Sequence, residues 1–195
     1  GYTSLKALIN TPFVYGADIN IIVLVKQHYY KLFDRLPDKL RVGGLDIETS
    51  VVKDKVFAST VTKNGIIIMN YVSPSGKTYS GVLEGFIGEE ENRKVPAAIK
   101  AAIETFRENS NDTCKEHMSK LNFEVEHRMF KRELDLITWI FQCINSDKPD
   151  FISIWNMDFD IPRIIKRIRK LGGNPYAIIP HPDVPFKYKV CNYIS

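Results

Sequence analysis

The sequence predicts an α/β domain in which a mixed β-sheet is flanked by helices. Three observations carry this. Apolar and β-branched runs cluster between residues 42 and 83, apolar residues then recur at helical spacing, and a short apolar run at 151–155 leads straight into an amphipathic helix. The 195 residues are 44% hydrophobic, which suffices for one well-buried domain of roughly 150 to 200 residues.

Residues 1–40 read as a lead-in, with a strand at "FVYGADI" and an apolar helix through "INIIVLVKQHYYKLFDRL", bracketed by Pro12 and Pro37. Strands begin with "LRVGGLDI". In "KVFASTVTKNGIIIMNYV", Asn64-Gly65 between β-branched runs predicts a tight hairpin. The turn "SPSGK" then leads into a further strand, "TYSGVL".

An acidic loop, "GEEENRK", is expected before Pro96, which opens a helix carrying Ile99, Ala102, Ile103 and Phe106 to about Glu108. The polar "ENSNDTCKEH" interrupts the pattern. A longer helix follows, with the stripe Phe130, Leu134, Ile137, Phe141, Ile144, and Pro149 stops it. "FISIW" is expected as a buried strand. In "DIPRIIKRIRKLGG", Ile161, Ile164, Ile165, Ile168 and Leu171 form one face and Arg163, Lys166, Arg167 and Lys170 another, until Gly172-Gly173 ends the helix. The remaining "NPYAIIPHPDVPFKYKVCNYIS" shows no period.

With 27 basic and 23 acidic residues the net charge is only +4, unlike a protein that coats nucleic acid, so any such contact must come from local charge. Cys114, Cys143 and Cys191 are odd in number and far apart, as expected of reduced thiols in a cytoplasmic compartment. The longest apolar run, "IIVLV", is far shorter than a membrane span, and no signal peptide opens the chain. The first residue is Gly1, as in a piece excised from a longer protein.

The chemistry concentrates in "LDIETS". Residues i and i+2 of a strand share a side, so Asp46 and Glu48 project together, away from Leu45 and Ile47. Two carboxylates about 7 Å apart repel by ~1 kcal/mol in water and by more in a cleft, and a divalent ion removes that penalty. Magnesium and manganese favour such oxygen ligands. A solvent-facing strand end would look the same. "WNMDFDIP" offers a second acidic locus in Asn156, Asp158 and Asp160, which capping of the following helix also explains. Two acidic loci at one edge of an open α/β sheet are, however, what a metal site there requires.

"LDIET" followed by Asn156, Phe159 and Asp160 in "WNMDFDIP" resembles the first and second exonuclease motifs of family B DNA polymerases, those of phages in particular. The run-up "KRELDLITWIFQCINSDKPDFISIWN" is also similar, and the resemblance covers roughly residues 40–170. It implies a ribonuclease H-like fold over 41–195, with residues 1–40 coming from the polymerase's N-terminal region. It further implies a 3′–5′ proofreading exonuclease acting on the single-stranded 3′ end of DNA with two Mg2+ or Mn2+ ions. Asp46, Glu48 and Asp160 would be the catalytic metal ligands, and Thr49, Asn156 and Phe159 would contact substrate. Core packing of Phe159, and a plain strand-ending turn at Thr49 and Ser50, compete with those contacts. The basic residues Arg163, Lys166, Arg167 and Lys170 could guide a phosphate backbone or form a solvated face.

After "WNMDFDIP" the family's third motif, Tyr-x-x-x-Asp, is absent, as is the His-x-x-x-x-Asp form of related exonucleases. Asp183 lies in a proline-rich loop and is a doubtful substitute. The expectation is a chain that stops before its last ligand, holds no ion or one ion, and hydrolyses DNA poorly by itself. No polymerase palm motif is visible, so nucleotide addition would belong to the remainder of the polypeptide. That remainder and a sliding clamp or other replication proteins are the implied partners, with no membrane contact, in the cytoplasm or a host's cytoplasm. Two alternatives stay open: an RNA-trimming exonuclease of the same superfamily, and a degenerate ribonuclease H-like module that binds nucleic acid or a partner without catalysis.

Overall fold

The structure, a computed structural model, describes residues 40–50 and 64–185, together with His28 and Lys31, which are helical. The chain divides into two compact units, residues 1–40 and 41–195. The strand expected at 13–19, the rest of the lead-in helix, residues 51–63 and Cys191 lie outside the described residues.

The second unit is built on a five-stranded mixed sheet. Strand β2 (Ile66–Val72) runs antiparallel to both its neighbours, β1 (Val42–Thr49) and β3 (Thr78–Leu83). Strand β4 (Val125–Phe130) runs parallel to β3, and β5 (Phe151–Ile154) parallel to β1, giving the order β4-β3-β2-β1-β5. The turn at "SPSGK" forms as expected, with Gly76 at φ +93° supplying the left-handed residue that joins β2 to β3.

The strand that would precede Asn64-Gly65 in a tight hairpin falls in residues 51–63, outside the described residues. Asn64 sits at φ +65°, which asparagine tolerates, and exchanges backbone hydrogen bonds with Ser50 through Asn64 N–H and Gly65 C=O.

Helices α1 (Glu89–Asn109) and α2 (Asp112–Ser119) follow β3. The acidic "GEEENRK" is thus not a loop. Glu89, Glu90 and Glu91 occupy the first turn of α1, where the helix dipole favours them, and Pro96 lies inside the helix. The polar stretch after it is also ordered: Asn111 caps α2 by accepting from Cys114 N–H at 2.9 Å. Phe130 ends strand β4 and does not begin the next helix, α3 (Glu133–Asp147).

Helix α3 lies on one face of the sheet and buries Leu136, Ile137, Ile140, Phe141 and Ile144. Leu136 comes so close to β3 that a Cβ on Gly81 would stand 2.1 Å from Leu136 Cδ1. Lys148, at φ +47°, closes the helix just before Pro149. Among the described residues β5 is an edge strand of the sheet and not a buried strand. Phe151 is 58% exposed and Trp155, just beyond the strand, 98%. Helix α4 (Met157–Lys170) buries Ile164 and Ile168 in the same core, Gly172 at φ +79° ends it, and a single turn, α5 (Pro175–Ile178), follows. Among the described residues no helix is long and apolar enough to cross a membrane.

Candidate active site

The alternation expected of β1 is present: Leu45 and Ile47 are in the core, Asp46 and Glu48 are exposed on the opposite face. The strand register breaks immediately after Glu48. Glu48 pairs with Ile68 but Thr49 pairs with Ile66, so β2 carries an extra residue at a bulge. Thr49 is half-buried at that bulge.

Helix α4 starts beside this strand end because β5 pairs with β1 only as far as Ile154 and Leu45, leaving Trp155 and Asn156 to turn the chain next to Asp46. Asn156 occupies the N-cap position and is exposed. Its carbonyl accepts from Phe159 N–H (3.0 Å) and Asp160 N–H (2.8 Å). Asn156 makes no side-chain capping bond, and Asp158 and Asp160 lie in the first turn of α4, where the helix dipole favours them.

Asp160 is only 3% exposed, and its Oδ2 is buried without a hydrogen-bond partner. Burial raises its pKa above the ordinary carboxylate value, and the charges of Asp46 and then Glu48 raise it further, which places the three carboxyls within electrostatic reach of one another. Phe159 is 40% exposed and not a core residue; the Arg163 guanidinium lies over its ring, 5.0 Å from the centroid. Lys166 and Lys170 are exposed.

Arg167 departs from the expected basic face. It is 3% exposed and makes a two-pronged ion pair with Glu133 at the start of α3, its Nε donating to Oε1 at 2.7 Å and its Nη2 to Oε2. The same Oε1 accepts the N–H of Ile66 at 2.8 Å, the residue opposite Thr49 at the bulge. One buried carboxylate therefore ties α4, which bears Asp160, to the sheet beside the residues that bear Glu48. Sequence reasoning missed this pair: a glutamate in a first helical turn and an arginine in a basic run look like surface residues.

Asp183 is exposed, and with His181 it lines a cleft formed by Lys148, Asp150 and Phe151 at the entry of β5. Asp46 lies beyond the other end of that strand, so Asp183 does not complete the carboxylate group.

The donor chemistry fits a hard divalent cation: three carboxylates, one with a buried, unpartnered oxygen. Among the described residues no three His, Cys, Asp or Glu side chains converge tightly enough to form a ligand shell unaided. Water, phosphate or neutral oxygens would have to complete one, as is usual for magnesium.

A mixed sheet in this strand order, flanked by helices and carrying carboxylates where β1 and β5 end, defines a ribonuclease H-like domain. The chain belongs to the exonuclease-domain family of the family B DNA polymerases: the family described as "DNA polymerase family B, exonuclease domain" matches residues 13–181. No curated protein matches the chain significantly. The family's members are metal-dependent exonucleases.

Proposed function

We propose that the chain is the proofreading part of a DNA polymerase, removing the 3′-terminal nucleotide of single-stranded DNA by phosphodiester hydrolysis. The observation that carries this is the buried Asp160 carboxyl, whose unpartnered Oδ2 lies within electrostatic reach of Asp46 and Glu48, where a shared cation would satisfy it.

Asp46, Glu48 and Asp160 are the residues that would hold magnesium or manganese. Ions bound there would supply an activated water and stabilise the leaving 3′ oxygen. Asn156 and Thr49 flank the carboxylates and orient the strand terminus. The exposed ring of Phe159, backed by Arg163, stacks against the terminal base. Lys166 and Lys170 draw in the phosphate backbone, whereas Arg167 is engaged with Glu133 and takes no part. Three carboxylates that do not close a shell among the described residues are a sparse ligand set, so this chain should turn over slowly.

The test is degradation of 5′-labelled single-stranded DNA in Mn2+. Slow stepwise shortening from the 3′ end is expected, abolished by chelator and reduced about 100-fold by Asp46→Ala. Shortening that Asp46→Ala leaves unchanged would refute the assignment.

A further inference from the structure

The residue directly across the ladder from Asp46 is Asn70 on β2. Paired residues share a face of the sheet, with Cβ atoms about 4.5–5.5 Å apart. Asn70 also forms part of the wall of an apolar cavity of about 600 Å³ between the sheet and α1, with Ile68 and Val72 on either side of it. Its Oδ1 is sealed from solvent and has no hydrogen-bond partner.

An amide oxygen left in this state costs stability, and a third apolar side chain beside Ile68 and Val72 would avoid the cost. The situation matches that of Asp160 Oδ2, which is buried and unpartnered and which couples to Asp46 from the α4 side. Asp46 thus has a residue with an unsatisfied oxygen across the ladder on β2 and another coupled to it from α4. A hard divalent cation satisfies both, because such ions accept neutral carbonyl oxygens alongside carboxylates.

We infer that Asn70 Oδ1 is a ligand of the cation held by Asp46, a neutral fourth oxygen contributed by β2. The inference rests on the carboxylate site being a metal site and extends that site by one residue. It explains why an asparagine interrupts the apolar face of β2 at this register and no other. It also accounts for a site with three carboxylates that do not close a shell by themselves.

The experiment is titration of Mn2+ into the 195-residue chain, followed by electron paramagnetic resonance, with thermal unfolding measured separately in EDTA. The unsubstituted chain should bind Mn2+ and Asp46→Asn should lose it. Asn70→Ala should weaken binding about tenfold while its Tm in EDTA is undiminished, since the substitution removes an unsatisfied amide. Asn70→Asp should bind at least as tightly as the unsubstituted chain. Equal binding by Asn70→Ala, or failure of Asn70→Asp to retain binding, would overturn the assignment of Asn70 and leave the carboxylates in place. If the unsubstituted chain binds no Mn2+, or Asp46→Asn binds as well as it does, the metal site itself fails, and Asn70 with it.

Discussion

At Asp160 a buried carboxyl carries a pKa raised first by burial, then by Asp46, then by Glu48. A folded-state pKa above the unfolded one favours folding only at low pH, and that contribution is lost as pH rises through the folded value. Without metal, Asp160 therefore contributes less to the fold at neutral pH than at low pH. Asp160→Asn should raise the Tm in EDTA, by the few degrees that about 1–2 kcal/mol gives, and should abolish stabilisation by Mn2+. A lower Tm in EDTA would mean that the carboxylate is structural. His127 shows the opposite sign. Burial lowers its pKa from 6.5, and its Nε2 lies 2.7 Å from Asn92 Oδ1 on α1 while Nδ1 faces the Ser80 hydroxyl at 3.2 Å. Its contribution to stability is full above pH 6.5 and is lost as pH falls through the folded value. Urea unfolding should show that His127→Gln flattens the decline in stability between about pH 7 and pH 5. At this scale the sequence was legible where side-chain alternation decides, as at Asp46 and Glu48. It was silent where an oxygen's partner decides, as at Asn70.

At the scale of elements, the Glu133–Arg167 pair joins α3, α4 and the first residue of β2. Arg167→Met leaves a buried, unpaired glutamate and should cost about 3–5 kcal/mol by chemical denaturation. Glu133→Gln combined with Arg167→Met should cost clearly less, because the amide still accepts from Ile66 N–H and no charge remains. Equal losses in the single and double variants would show that packing, and not the charge, is responsible. Elements with a clear apolar period were legible: β1, the core stripe of α3, and α4 with its Gly172 stop. The misread ones lacked that signal. Helix α1 buries no residue, so its acidic first turn looked like a loop. In β4 the alternation Val125, His127, Met129 is too polar to announce a strand.

Over the whole domain, the two halves of the site come from positions far apart in sequence that β5 brings together by pairing with β1. That parallel pairing cannot be read from either segment alone. The motif resemblance supplied what periodicity could not, the expectation that "LDIET" and "WNMDFDIP" meet. A divalent cation should choose this meeting point over the acidic first turn of α1 with Glu89, Glu90 and Glu91. Site-resolved paramagnetic broadening by Mn2+ in amide NMR spectra tests this most directly. Broadening at substoichiometric Mn2+ should centre on residues 45–49, 69–71 and 157–161 and disappear in Asp46→Asn. Broadening centred on residues 88–92, or spread without a centre, would contradict it.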